Sequence, residues 1–280
     1  MKPIRNVSFF SLNFSLDSVI PGAEKLAMTA RKFSFTDLSG YEVLSFGFFP
    51  QSDFNREWLH ETEAGLFFCV KFAKKKPSAS FVREVFNQKL KKQKKYTEQV
   101  SRKDLKAEIE RELTLRALPK ISYVQVFLSK NGWLFVDSMN AEIQELIGEL
   151  LSQVIPGCKV KPDLTPPTLP AIFNAHLRGQ CSIPNGFDVH RDVSLITDSR
   201  RTIIIPFSSY IQVIGLQPCE IKYITIKSSR LSFRWHADGS ISEIERLDRG
   251  AVEIADIQSI HHLIAEWYNH QRDYHAFEKN

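Results

Sequence analysis

Cysteine is scarce in this sequence, and long apolar runs are missing. The four cysteines, Cys69, Cys158, Cys181 and Cys219, stand far apart, and no CxxC pair occurs. Structural zinc sites need closely spaced ligand pairs, and a chain of 280 residues can bury a core without a disulfide framework. No apolar run approaches the roughly 18 residues that a membrane-spanning helix requires. We therefore expect reduced thiols and a cytoplasmic protein.

Short motifs that bind nucleotides or activate nucleophiles are also missing. The sequence contains no GxxxxGK(S/T) phosphate-binding loop, no GxGxxG dinucleotide fingerprint and no GxSxG nucleophile turn. We predict that the protein is not an enzyme and that it uses no cofactor.

Three residues near the end of the chain have a spacing that could place metal ligands together. His262, Glu266 and His270 follow each other at intervals of four, which puts them on one face if the segment is helical. The pattern lacks a fourth ligand and is not HExxH. We interpret it as an exposed polar face and predict no metal site.

A second group of acidic residues resembles the ligands of a nuclease. Asp188, Asp192 and Asp198 lie close in sequence to His190. A metal-dependent nuclease needs carboxylates that converge within a few ångströms, and the spacing gives no sign of this. We interpret the segment as a loop and a short helix with ordinary charges, and a divalent-metal nuclease remains a less favoured alternative.

Positive charge is concentrated in one segment. Residues 71–106 contain thirteen Lys or Arg against three acidic residues, a local net charge of +10 in a chain whose net charge is +5. The remainder of the chain is therefore mildly acidic. Such an asymmetry is typical of a surface that binds a polyanion.

Two helices are predicted within this basic segment. Pro77 and Ser78 can begin the first helix, with Ser78 or Ser80 as its cap. Its apolar residues repeat at helical spacing from Phe81 to Leu90, with lysines between and beyond them. The second helix follows Ser101, and its core positions are four residues apart at Leu105, Ile109 and Leu113. We predict a lysine-rich helical arm with a basic outer side.

Strand-like patterns dominate most of the rest of the chain. Residues 4–14, 41–48, 66–72, 122–128 and 133–137 fit strands, and Asn131-Gly132 predicts a hairpin turn between the last two. Helices are predicted over 141–151 and from about 257 to 268. Between them, residues 202–205, 219–227, 230–236 and 241–247 fit strands, and Leu231, Phe233 and Trp235 alternate as one buried face. The fold class is α+β, with the helical arm inserted between strands and a mainly strand C-terminal part.

The arm is suited to phosphate contacts. Lysine neutralises backbone phosphates and releases counterions, which gives affinity without base readout. Few aromatic residues accompany the lysines, so duplex DNA is favoured over single strands. The candidate DNA-binding residues are Lys74, Lys75, Lys76, Arg83, Lys89, Lys91, Lys92, Lys94 and Lys95, followed by Arg102, Lys103 and Lys106. A solvated helix face and an adaptor that binds an acidic protein partner remain alternatives, while a membrane surface is disfavoured because the apolar face is needed for packing.

Several short motifs occur in an order that resembles the RdgC family of recombination-associated proteins. They include Gly47-Phe48-Phe49-Pro50, the Pro77-Ser78 start of the arm, Leu115-Arg116-Ala117-Leu118, Asn131-Gly132-Trp133-Leu134-Phe135-Val136-Asp137 and Asp238-Gly239-Ser240. The resemblance covers about residues 40–250, and its specificity lies in the order and spacing of the motifs.

The resemblance implies a particular architecture and function. It implies a horseshoe-like protomer with a central α+β domain (1–75 and 119–165), a helical tip (76–118) and a base domain (166–280). Two protomers would form a homodimeric ring around double-stranded DNA, with Arg116 and Leu118 at a dimer contact where family members carry an aromatic residue. Binding would be independent of sequence, would limit access of the RecA recombinase and would place the protein on the nucleoid. The family's basic stretch before its second-domain strands is replaced here by Ile203–Phe207.

Overall fold

The described part of the chain comprises residues 4–13, 22–50, 57–93, 101–162, 187–197, 202–206 and 219–277 of a computed structural model. Within these residues the protein is a mixed α/β structure with five helices and extensive antiparallel sheet. The helices are α1 (Gly22–Lys32), α2 (Ala79–Gln93), α3 (Arg102–Arg116), α4 (Ala141–Val154) and α5 (Ile254–Phe277). The strands are β1 (Asn6–Leu12), β2 (Leu44–Phe49), β3 (His60–Thr62), β4 (Gly65–Lys75), β5 (Pro119–Ser129), β6 (Trp133–Val136), β7 (Val160–Pro162), β8 (Phe187–Thr197), β9 (Thr202–Pro206), β10 (Cys219–Ser228), β11 (Leu231–His236) and β12 (Ile241–Arg246).

The chain forms two compact units. The smaller unit contains Ile20–Val126 and Glu149–Pro156, and the larger contains Met1–Val19, Phe127–Gly148 and Gly157–Asn280. The predicted division into central, tip and base domains stays a prediction, and its boundary at 165–166 lies outside the described residues.

The smaller unit has β4 at the centre of its sheet. Strand β4 pairs antiparallel with β2 and β3, and β5 is its other neighbour. Strand β4 has neighbours on both edges, and its apolar residues Leu66, Phe68 and Val70 are buried. Helices α2 and α3 lie between β4 and β5 in the chain, so the helical pair is connected at both ends to adjacent strands of one sheet.

Gly47 is required by a close backbone approach in the smaller unit. The Phe35 N–H donates to the Phe48 carbonyl oxygen at 2.9 Å, and the Phe48 N–H donates to the Phe33 carbonyl oxygen at 3.0 Å. A Cβ atom at position 47 would lie 2.6 Å from the Phe35 nitrogen and 2.7 Å from the Phe33 oxygen. Only glycine allows the segment before β2 to bond to the strand at this distance.

The larger unit joins the two ends of the chain in one sheet. Its strand order is β6-β1-β12-β11-β10-β8-β9, and β7 also pairs with β1. Phe9 of β1 lies opposite Phe135 of β6, and Val7 lies opposite Ile241 of β12. The predicted buried face of β11 is confirmed, since Phe233 and Trp235 are fully buried.

The predicted hairpin at Asn131-Gly132 is confirmed by its turn geometry. Gly132 has a φ of 82°, and its N–H donates to the Ser129 carbonyl oxygen at 3.1 Å. The Ser129 hydroxyl oxygen accepts a hydrogen bond from the Trp133 N–H at 3.1 Å, which fixes the start of β6. A positive φ favours glycine, so the dipeptide explains why the chain reverses here.

The interpretation of residues 187–197 as a loop and short helix is wrong. These residues form β8, which pairs with β10 and β9. The register between β8 and β10 shifts between Val189 and Val193. Val189 lies opposite Ile226 and Val193 lies opposite Ile224, so four steps along β8 correspond to two steps along β10. An irregularity of this kind breaks the alternation by which a strand is recognised in sequence.

Candidate nucleic-acid interface

Helix α2 begins as its sequence predicts. The Ser78 hydroxyl oxygen accepts a hydrogen bond from the Phe81 N–H at 3.3 Å, and the Ser78 carbonyl oxygen accepts one from the Val82 N–H at 3.0 Å. Serine at this position satisfies an N–H group that has no partner within the helix. The first turn of α2 contains no acidic residue, so the positive end of its helix dipole is not offset by a neighbouring carboxylate in that turn.

Helices α2 and α3 pack through a small apolar core. Val82 of α2 and Leu105, Ile109 and Leu113 of α3 are buried together, and Val85, Phe86 and Leu90 pack against them. The predicted core positions of α3 are therefore confirmed, as are those of α2 from Val82 to Leu90, whereas Phe81 is 49% exposed and lies outside this core. The core residues of each helix pack against the other helix, and most of the exposed positions with described side chains are polar or charged.

Six of the predicted DNA-binding cations are exposed on or beside this helical pair, and Lys106, paired with Glu110, is one of them, which leaves five. None of the five has a salt-bridge partner within the part of the chain that the structure describes, and they are Lys76, Arg83, Lys91, Arg102 and Lys103. Arg83 and Lys91 are on α2, while Arg102 and Lys103 are in the first turn of α3. Their charges are thus available to solvent and to a polyanion.

Two predicted cations at the end of β4 are less exposed. Lys74 and Lys75 are both half-buried, and the Lys75 ammonium group donates to the Gly40 carbonyl oxygen at 3.3 Å. This contact ties the Lys75 side chain to the segment before β2.

Lys89 differs from Lys91 because it faces acidic residues of α3. Its ammonium nitrogen is 3.4 Å from a carboxylate oxygen of Glu112 and 3.8 Å from one of Glu108. Lys106 pairs with Glu110 at 3.7 Å, and Arg116 pairs with Glu112 at 3.1 Å. These partly exposed pairs each stabilise by about 0–1 kcal/mol, but they compensate part of the positive charge.

Sequence reasoning missed these compensating acids. Glu108, Glu110 and Glu112 lie just after the basic segment of residues 71–106 and are not part of its net charge of +10. Glu108 directly precedes the buried Ile109, and Glu112 directly precedes the buried Leu113. This spacing predicts that both glutamates flank the packed face of α3.

Three predicted residues cannot be assigned a contact. Lys94 and Lys95 lie outside the described residues, and Lys92 lies in α2 without a described side chain. The two residues of the predicted dimer contact are described. Arg116 ends α3, and Leu118 follows on an extended segment, where it is 90% exposed. A large apolar side chain this exposed is costly to hydrate, so it favours contact with another surface.

The candidate metal-binding groups do not form a cluster among the described residues. No group of three or more His, Cys, Asp or Glu side chains in that part of the chain is placed to hold a metal ion. His262 and Glu266 are exposed on α5, whereas His261 is buried and packs against the rings of Phe9 and Trp133. Asp198 lies outside the described residues, and no side chain is described for Asp188, His190, Asp192 or His270.

No helix in the described ranges is both long enough and apolar enough to cross a membrane.

Comparison with known proteins gives one family. The family model described as "Putative exonuclease, RdgC" matches residues 4–209, which is more than half of the chain. No curated protein matches the sequence. The matched range includes the helical pair and the strands on both sides of it. The chain belongs to the RdgC family of recombination-associated proteins.

Proposed function

We propose that this protein binds double-stranded DNA without sequence preference through a lysine-rich arm formed by α2, α3 and the residues that connect them. The observation that supports this most strongly is the set of exposed cations on the helical pair that have no acidic partner in the described residues. Lys91 is the clearest of these, since it follows Lys89 by two positions and points away from the acids that hold Lys89. Lysine and arginine at such positions contact phosphates, which are the same in every sequence.

The functional form is a homodimeric ring around the duplex. Family membership and the exposed Leu118 support this proposal. Leu118 stands between the end of α3 and the start of β5, close in sequence to the cations. Burying its side chain against a second copy would gain about 1.5–3 kcal/mol, enough to contribute to an interface but not to form one alone.

Such a ring would act by occupying DNA. The protein would limit the access of the RecA recombinase to the duplex and would lie on the nucleoid in the cytoplasm. It would act by binding rather than by catalysis and would need no metal or cofactor. The exonuclease named in the family's description is the second candidate function, and incubation of linear and supercoiled DNA with Mg²⁺ or Mn²⁺ separates the two by release of nucleotides or nicking.

Charge reversal in the arm tests the proposal. Substitution of Lys91, Lys92 and Lys94 together by Glu should abolish measurable binding at moderate salt. If residual binding is detectable at low salt, the loss of three phosphate contacts should reduce its log–log salt slope by about 2.7.

The matched control changes the same charge elsewhere. Lys130, Lys159 and Lys161 are exposed residues of the larger unit, and their triple reversal gives the same net charge. The proposal is wrong if both triple variants lose the same affinity, or if neither does.

A further inference from the structure

A cleft of about 710 Å³ lies between α2 and α3 on one side of the helical pair. Its apolar lining comes from Pro77, Ala79, Val82 and Phe86. Val82 belongs to the core that joins the two helices and Phe86 packs against it, so the bottom of the cleft is formed by packed residues. The volume is within the range of about 300–1,000 Å³ that is typical of ligand sites.

The rim of the cleft is mainly cationic. Lys76 and Arg83 stand on the α2 side and Lys106 on the α3 side, while Glu110, the one acidic residue among the described lining residues, pairs with Lys106 at 3.7 Å. The first turn of α2, which carries no acid, begins at Ala79 on the same lining. The positive end of the helix dipole and the two cations on the α2 side therefore favour carboxylates there.

We propose that this cleft binds an acidic segment of a protein partner that carries apolar anchor residues. Apolar anchors match the aliphatic lining, and flanking Asp or Glu residues match the rim, which is how amphipathic segments are recognised in grooves between helices. Asn87 and Thr114 also line the cleft and supply polar groups at its edge.

Duplex DNA does not use such a site, because it presents phosphates and no apolar group that enters a cleft. An unpaired base would stack on a flat aromatic face. The apolar side chains of the described lining are mainly aliphatic, and Phe86, the one ring among them, packs against the core. A second copy would bring Leu118 but no acidic residue directly beside it, since Ala117 and Pro119 are its neighbours. The acidic segment fits both the lining and the rim.

Occupation of the cleft would compete with DNA. Lys76, Arg83 and Lys106 are among the proposed phosphate contacts, so a bound acidic segment would remove cations from the DNA surface. This consequence rests on the proposed function, whereas peptide binding itself does not.

The test uses the full chain and three labelled probes in fluorescence anisotropy. The first probe is a twelve-residue peptide with one Phe and two Leu at helical spacing among six Asp or Glu residues. The second has Ser in place of the three anchors, and the third is a DNA duplex. The wild-type protein should bind the anchored peptide at least tenfold more tightly than the Ser peptide, and the anchored peptide should displace the duplex. Equal binding of the two peptides would mean that charge alone is recognised and would overturn the proposal.

Substitutions separate the cleft from the DNA contacts. Ala79→Trp fills the cleft without a change of charge and should weaken peptide binding at least tenfold while leaving duplex affinity within about twofold, because the phosphate contacts remain. Lys91 lies outside the lining, so Lys91→Glu should weaken duplex binding and leave peptide binding within about twofold. Arg83→Glu should weaken the binding of both the peptide and the duplex. Asn87→Trp serves as a second filling variant if the melting curve of Ala79→Trp shows that it does not fold.

The outcomes distinguish the two proposals. If the wild-type protein binds the anchored peptide but not the duplex, the cleft assignment is supported and the proposed DNA function is wrong. If the duplex binds and neither filling variant changes the affinity for the peptide, the cleft assignment is wrong and the DNA function is unaffected. A single-stranded oligonucleotide that loses affinity in Ala79→Trp, as the peptide is expected to, would mean that the cleft holds nucleic acid and would also overturn the proposal.

Discussion

Lys89 and Lys91 are two residues apart on α2, yet the structure predicts different effects when their charges are removed. Lys91 is exposed and has no salt-bridge partner in the described ranges, while Lys89 lies between Glu108 and Glu112. Glutamine is a suitable replacement for both, since its helix propensity is close to that of lysine. Lys91→Gln should therefore remove one phosphate contact and little else.

The size of the effect follows from counterion release. Each phosphate contact contributes about 0.9 to the slope of log affinity against log salt, so Lys91→Gln should reduce the slope by about 0.9. Between about 50 and 200 mM salt, the loss of affinity would then be about 3.5-fold smaller than in the wild type. The reduction should be the same for any duplex sequence.

The comparison variant removes the Lys89 charge together with one of its partners. Lys89→Gln combined with Glu108→Gln leaves the net charge unchanged, and its salt slope should match that of the wild type. Its free energy of unfolding should fall by no more than about 1 kcal/mol, because the ion pairs are partly exposed. Anisotropy titrations at four salt concentrations provide the measurement. A slope reduced by the same amount in both variants would refute the assignment of Lys89 to the helix–helix contact.

Three further predictions concern stability. Gly47→Ala should lower the free energy of urea unfolding by about 1–3 kcal/mol, because the added Cβ would lie 2.6 Å from backbone atoms. At Gly148 the nearest atom to an added Cβ is 3.7 Å away, so Gly148→Ala should raise the free energy of unfolding by up to about 1 kcal/mol. Equal effects of the two glycine substitutions would contradict the steric explanation for Gly47. Ile109 is fully buried, so Ile109→Ala should lower the free energy of unfolding by about 2–5 kcal/mol. Leu118→Ala should change the free energy of unfolding by less than about 0.5 kcal/mol at protein concentrations where the chain is monomeric, and a loss as large as at Ile109 would show that Leu118 is packed. Burial raises the pKa of the Cys158 thiol from its ordinary value of 9.0 to about 11. The unfolded thiol therefore ionises first, and the stability of the wild type should fall between about pH 9 and 11 more steeply than that of Cys158→Ala, while parallel profiles would refute the raised pKa.

Local patterns predicted the elements whose burial is regular. In β11 the alternation of Leu231, Phe233 and Trp235 identified the buried face, and in α3 the spacing of Leu105 and Ile109 identified the contact with α2. Each pattern repeats with the period of its own element, so the sequence carries the information locally.

Pairings between distant residues were beyond such patterns. The ladder between Asn6 of β1 and Ser242 of β12 joins opposite ends of the chain, and nothing near either residue indicates the other. Strand β8 was missed because its register shift removes the period by which a strand is recognised.

The candidate site was predictable in its charge but not in its charge pairing. The concentration of lysine and arginine in one segment identified the helical pair as the basic surface. That Lys89 meets Glu112, and that a cleft opens beside Phe86, depend on how α2 packs on α3 in three dimensions. Helix packing fixes which side of a charged helix faces its neighbour, and a count of residues does not contain it.

The most direct test of DNA binding by the arm is an anisotropy titration with two duplexes of unrelated sequence over a salt series. We predict similar affinities for both, each falling steeply with salt, with a slope of several times 0.9 because several cations contact phosphates. Absence of binding to either duplex at low salt would contradict DNA binding by the arm. A strong preference for one sequence would contradict binding through phosphates alone.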